Sequence, residues 1–283
     1  MFNQEELDLF ITNALHEDVR EGDHSSLASI DKNTQGKARL LVKDSGILCG
    51  LEIAKAIFQK VDSNLRMEIH ITEGSAIQYG DIAFHVFGSA ISILTAERLV
   101  LNCMQRMSGI ATITRQYVDA IKGYPAKILD TRKTTPLFRM LEKEAVRIGG
   151  GCNHRMGLYD MVMLKDNHID FCGGIEKAIE TTNQYLAANN LDLKIEVETR
   201  NLDDVRRVLA VGKVHRIMLD NYSPDMITEA VALINGQYET EASGGITLEN
   251  IRAYAATGVD YISVGAITHH AVSMDLSLKA QLS

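Results

Sequence analysis

The sequence predicts an α/β protein in two parts: an α+β first part, then a parallel sheet wrapped toward a barrel. Three observations carry this. Up to about residue 110, short alternating strands are followed by segregated long helices. From residue 126, short apolar strands alternate with helical stretches, the pattern of a parallel sheet. Polar residues then recur at the C-terminal end of each later strand, and a parallel barrel gathers all those ends on one face.

In order, residues 5–18 place Leu7, Phe10, Ile11, Ala14 and Leu15 on one helical stripe. Residues 37–43, 66–71 and 82–87 read as strands, and residues 51–61 as a helix. An apolar helix over 91–107 should end at Ser108-Gly109, with a second over 110–122. The later strands are KILD, MVMLK, KIEVE, RIMLD, TEASG and YISVG. Between them, residues 137–148, 174–188, 202–210, 224–235 and 248–257 read as helices. Six such units are fewer than a closed eightfold barrel needs, so either the barrel is incomplete or units are unrecognised. The marked strand ends are residues 130–133, Lys165, Glu198, Asp220, Ser243-Gly244-Gly245 and Gly265. An open doubly wound sheet would gather only those near its switch point, so their spread over six units favours a barrel.

The chain has 283 residues, 46% of them hydrophobic, enough for a sizeable core. No apolar run is long enough to span a membrane. The acidic start MFNQEELDLF lacks the basic opening of a signal peptide, so a cytoplasmic location is expected. Cys49, Cys103, Cys152 and Cys172 show no CxxC pairing and read as reduced thiols. The formal net charge of -8 argues against a nucleic-acid partner.

Against that acidic background stand Arg132, Lys133, His154, Arg155 and Lys165, three of them beside backbone breakers, the TTP turn and the triple glycine 149–151. Lone surface cations would be unremarkable. Together on a ligand face, they suit a small, multiply charged anion. Lys165 alone would also suit Schiff-base chemistry. Arg139, Lys143 and Arg147 lie at helical spacing with Glu142 and Glu144 and read as a solvated helix face. Glu196 and Glu198 share one strand face, and Asp220 closes RIMLD. These acids either pair with the cations or serve ribose hydroxyls, Mg²⁺ or a developing positive charge. SGGIT before LENIRAYA reads as a glycine turn opening a helix, a place for phosphate, and SVGAITHH is a second candidate. Adjacent His269 and His270 diverge in direction and make a poor metal pair.

Across nearly the full chain these motifs resemble quinolinate phosphoribosyltransferases. The matching stretches are EDVREGD, AERLVLNCMQRMSGIAT, ILDTRKTTP, GGGCNHRMGL, KDNHI, EVE, MLDN, EASGGITLENI and YISVGAITH. A related group linked to molybdenum transport shares TRKT and HR but typically lacks the lysine of KDNH, which is present here. The departures are Leu137-Phe138 after TTP, His24-Ser25-Ser26 after GD, and His270.

The resemblance implies an N-terminal α/β sandwich domain (residues 1–110 with tail 270–283) and an incomplete α/β barrel (111–269), a type II phosphoribosyltransferase-like fold. It implies transfer of phosphoribosyl from 5-phosphoribosyl pyrophosphate to quinolinate with decarboxylation, a step of NAD biosynthesis. Quinolinate contacts carry over to Arg98, Thr131, Arg132, Lys133, His154, Arg155 and Lys165. Donor contacts carry over to Glu198, Asp220, Ser243, Gly244, Gly245, Val264, Gly265 and Ala266. Lys133, Lys165, Glu198 and Asp220 would carry the catalysis, with Mg²⁺ at Glu198 and Asp220 directly or through water. A homodimer, or a higher oligomer built on it, would share its sites, with Arg98 reaching the partner's pocket.

Overall fold

A computed structural model describes residues 3–281. The chain divides into two compact units. The first comprises residues up to 115, residues 134–150 and the tail from 270; the second comprises 116–133 and 151–269.

In the first unit, α1 (Gln4–Asp18) and α2 (His24–Ser29) precede β1 (Gln35–Val42), β2 (Gly46–Ile47), α3 (Leu51–Val61), β3 (Arg66–Ile69), β4 (Ala76–Ile77) and β5 (Ile82–Ser89). Then come α4 (Ala90–Ala120), whose residues from 116 on belong to the second unit, and α5 (Arg139–Ile148), and the unit is completed by a C-terminal strand (Leu276–Gln281). That strand pairs antiparallel with β1, giving the sheet order C-terminal strand, β1, β5, β3. On β1, Ala38, Leu40 and Val42 alternate inward, as a half-buried strand requires. Leu51, Ile53, Ala54, Ile57 and Phe58 give α3 its buried stripe, and Phe58 meets Phe84 edge-on at 6.1 Å. The Glu73 carboxylate accepts the Gly50 and Leu51 N–H groups at 2.5 and 2.8 Å, which satisfies the open donors that begin α3.

Two expectations are corrected here. The helix does not stop at Ser108-Gly109. Ser108 is fully buried, accepts the Cys49 N–H at 3.0 Å and donates to the Cys49 carbonyl at 3.1 Å. A Cβ on Gly109 would collide with the Val272 carbonyl, so this glycine serves close backbone approach within α4. Nor is α5 a solvated charged helix: Glu142 and Lys143 are buried, while exposed Arg147 pairs with half-buried Glu144. Glu142 accepts Arg106 Nε and Nη2 at 3.0 and 2.9 Å, the Thr135 N–H at 3.1 Å and the Thr135 hydroxyl at 2.9 Å.

The second unit is a six-stranded parallel sheet: β6 (Lys127–Leu129), β7 (Val162–Leu164), β8 (Ile195–Thr199), β9 (Arg216–Asp220), β10 (Glu239–Ser243) and β11 (Tyr261–Ser263). The order is β6-β11-β10-β9-β8-β7, so β6 and β7 form its edges and the barrel is not closed. The intervening helices are α6 (Asp166–Cys172), α7 (Ile175–Ala188), α8 (Leu202–Val211), α9 (Pro224–Ile234), α10 (Ile251–Ala255) and α11 (Ala266–His269). The expected helix over 248–257 shrinks to the five residues of α10, so it does not open at the glycine turn.

Candidate active site

Strand order sets the site. Lys165 follows β7, Glu198 lies in β8, Asp220 ends β9 and Ser243 ends β10, on four neighbouring strands. Register aligns Glu198 with Met218 and Asp220 with Ser243, and side chains repeat by two, so these residues project from one face of the sheet. Val264, Gly265 and Ala266 follow β11, and Thr131, Arg132 and Lys133 follow β6, extending the row. Of the family-type residues, only Arg98 lies in the first unit, exposed on α4.

The basic side is built on pinned backbone. Asp130, fully buried after β6, accepts Asn153 Nδ2 at 2.6 Å and the His154 N–H at 2.8 Å. Asp160 accepts the Met156 and Gly157 N–H groups at 2.7 and 2.9 Å, which closes the following turn. Arg155 Nη1 donates to the Met161 carbonyl at 3.2 Å. Burial, then the positive charge of Arg132, lowers the Arg155 pKa, so two guanidiniums lie close enough to repel. Lys165 caps α6, and its N–H donates to His168 Nδ1 at 3.0 Å, which is why KDNH fixes the chain there. The Thr268 hydroxyl donates to the Lys133 carbonyl at 3.0 Å. A Cβ on Gly265 would come 3.1 Å from Lys133 Cδ, so this glycine leaves room for the lysine stem.

The acidic side faces the same space. Glu198 is 8% exposed. Burial, then the negative charge of Asp220, raises its pKa, against the opposing pull of Lys165. Lys165 Nζ stands 3.9 Å from Glu198 Oε2. Asn221, in the left-handed region at φ 58°, donates to the Asp220 carboxylate at 2.6 Å and, through its N–H, to the Ser243 carbonyl at 2.8 Å. Gly244 has φ +97°, and a Cβ there would collide with the Asn221 side chain. The MLDN and SGG turns therefore interlock through a position that only glycine fills.

Deeper in the same face lies a group the sequence reading did not assemble. Glu196 and Glu241 are fully buried, and Arg216 and His154 are 8% exposed. His154 Nε2 lies 2.9 Å from Glu196 Oε2 and 3.2 Å from Glu241 Oε2. Arg216 reaches Glu241 at 2.9 Å and Glu239 at 3.0 Å. Burial opposes a charged His154 ring and Glu196 and Glu241 favour one, while the Arg155 N–H donated to Nδ1 leaves the ring one proton, on Nε2. Burial and the Glu241 charge raise Glu196 to about 7. The period-two acids of EVE and ETE, beside the arginine that opens RIMLD, were the available signal.

Matches to known proteins cover both parts of the chain. Residues 23–108 match the quinolinate phosphoribosyl transferase N-terminal domain, and residues 110–279 match its C-terminal domain. The chain is 47% identical over 281 residues to tobacco (Nicotiana tabacum) quinolinate phosphoribosyltransferase [decarboxylating] 2b, mitochondrial, covering 94% of this chain and 80% of that one. It is 44% identical to the probable nicotinate-nucleotide pyrophosphorylase [carboxylating] of Synechocystis, covering 96% of this chain and 92% of that one. The crystal structure of NadC from Streptococcus pyogenes superposes with a TM-score of 0.93 at 39% identity, covering 100% of this chain and 99% of that one. With both domain models matched along the chain, the chain belongs to the quinolinate phosphoribosyltransferase family.

Proposed function

We propose that quinolinate is held by Arg132, Lys133, Arg155 and Lys165, with the phosphoribosyl donor over Glu198, Asp220 and the Ser243–Gly245 and Val264–Ala266 turns. The chain is a nicotinate-nucleotide pyrophosphorylase (carboxylating), a phosphoribosyltransferase consistent with de novo NAD biosynthesis. The observation that carries the site assignment is the division of one strand-end face into a basic half and an acidic half. Clustered guanidiniums and ammoniums suit a dicarboxylate. Glu198 and Asp220 would repel one, and they suit a ribose that becomes positive.

The chemistry follows from that division. The pyridine nitrogen forms a bond to the anomeric carbon as the bond to pyrophosphate oxygen breaks. Glu198 and Asp220 stabilise the positive charge that builds on the ribose. The resulting pyridinium withdraws electrons from the adjacent ring carbon. Carbon dioxide leaves, its bonding pair stays on that carbon, and a proton replaces it. Glu198 and Asp220 offer hard oxygen donors, and their mutual repulsion is what a hard cation relieves, so they fit Mg²⁺. Bound there, Mg²⁺ would neutralise charge on the pyrophosphate.

Arg98 is exposed, and its role across a homodimer is part of this proposal. Leu137 and Phe171 are 95% and 93% exposed, the kind of apolar surface an interface covers. All four cysteines are free, which fits a reducing compartment, and we place the protein in the cytoplasm. Relatives in tobacco and Arabidopsis are named mitochondrial and chloroplastic. Among the described residues no helix is long and apolar enough to cross a membrane.

Quinolinate, 5-phosphoribosyl pyrophosphate and Mg²⁺ should yield nicotinate mononucleotide, pyrophosphate and carbon dioxide in equal amounts. Equal turnover of nicotinate would refute the dicarboxylate pocket. Mixing Arg98→Ala chains with Lys165→Ala chains should recover part of the activity, since some hybrid dimers hold one intact site. No recovery despite demonstrated subunit exchange would refute site sharing.

A further inference from the structure

The resemblance lists His154 among quinolinate contacts, yet its ring is already engaged on both sides. Nδ1 accepts the Arg155 N–H at 2.7 Å, and Nε2 faces Glu196 and Glu241 at 2.9 and 3.2 Å. Its side chain is 4% exposed. Its own N–H is held by Asp130 at 2.8 Å. Because Nδ1 accepts from the backbone, the proton on the ring sits on Nε2, toward the two carboxylates.

We infer that His154, Glu196, Glu241 and Arg216 form a buried post that positions Arg155, and that His154 acts through Arg155 and does not touch the substrate. This rests on the proposed place of Arg155 in the quinolinate pocket.

Three ionisable groups buried on one inward sheet face, with the His154 ring against them, are costly to desolvate, and a barrel interior is ordinarily filled by aliphatic layers. Here the charges are arranged in a line: Glu239 and Glu241 hold Arg216, Glu241 and Glu196 hold His154, and His154 holds the Arg155 backbone. Arg216 lies in register between Glu196 on β8 and Glu239 on β10, so the line is anchored in three adjacent strands. The Arg155 guanidinium is held separately by the Met161 carbonyl. A long, flexible side chain next to a like-charged Arg132 would otherwise swing away when no anion is present. The post fixes the chain from which it springs, which lowers the ordering cost of binding.

The test is a double-mutant cycle read in quinolinate KM, with donor KM and kcat followed in parallel. Arg155→Ala should raise quinolinate KM by about tenfold to a hundredfold, the loss of a charge-assisted pair. His154→Ala should raise it by a smaller factor, leaving donor KM unchanged. The double variant should be no worse than Arg155→Ala alone. Glu241→Gln, combined with Arg155→Ala, supplies the same cycle if His154→Ala does not fold. Losses that multiply in the double variants would overturn the post and make His154 an independent substrate contact. An unchanged quinolinate KM in Arg155→Ala would overturn both the post and the assignment of Arg155 to the pocket, so the two failures are told apart.

Discussion

Replacing Glu198 by Gln should weaken the chemistry while strengthening quinolinate binding, and the structure sets the scale of both effects. Lys165 Nζ is 3.9 Å from Glu198 Oε2, and the lysine side chain is half exposed. A unit charge pair at that separation interacts by about 1 kcal/mol in water and about 4 kcal/mol at an effective dielectric of 20. Solvent screening at the half-exposed lysine favours the lower figure. Removing the carboxylate frees Lys165 for the substrate, so quinolinate should bind up to about fivefold tighter. Turnover should fall by about a hundredfold to a thousandfold, as for other preorganised electrostatic groups at a transition state. Titration calorimetry gives the quinolinate affinity, and rapid-quench single turnovers with saturating donor and Mg²⁺ give the chemical step. Asp220→Asn adds a pH test. Asp220 helps raise the Glu198 pKa, and activity needs Glu198 ionised, so activity is lost as pH falls through that raised value. Without Asp220's charge, the acid limb of the profile should move to lower pH. Glu198→Gln chains that lose quinolinate binding but keep the single-turnover rate would refute the division of the site.

Two further outcomes are expected. Gly244→Ala should reduce turnover while leaving quinolinate affinity intact, because a Cβ collides with Asn221 and disturbs Asp220; unchanged kinetics would show that the interlock is dispensable. Arg106→Ala should destabilise the protein by about 3–5 kcal/mol, since it strips the guanidinium from fully buried Glu142; denaturant unfolding measures this, and a loss below about 1 kcal/mol would contradict it.

The legible elements were those whose pattern matched their surroundings. The α3 stripe of Leu51, Ile53, Ala54, Ile57 and Phe58 packs as its spacing requires, and 51–61 is the helix found. The basic residues of the strand ends drew attention because several stand beside backbone breakers in an acidic chain. Where the reading departed from the structure, a long-range partner had overridden a local signal. Ser108-Gly109 looks like a helix end, but Cys49 and Val272 come from distant sequence to use its hydroxyl and its missing side chain. Glu142 and Lys143 look like solvated helix residues, yet Arg106 and Thr135 hold Glu142 in the interior.

The charged core of the second unit was hidden for a different reason. Alternation such as EVE or ETEAS ordinarily marks a strand with one face in water. In this sheet the other face carries Val197, Ile217, Leu219, Ala242 and Ile262, all fully buried, so the apolar half of the pattern behaves as expected. The polar half does not reach water. Glu196, Arg216 and Glu241 project into the curved side of an unclosed barrel, where they meet one another and His154. A sequence pattern states that two faces differ; it does not state whether the polar face meets solvent or other charges. The discriminating sign is composition across strands. One arginine flanked in register by glutamates on both sides lets the polar face offset its own charge, and such a face can be buried.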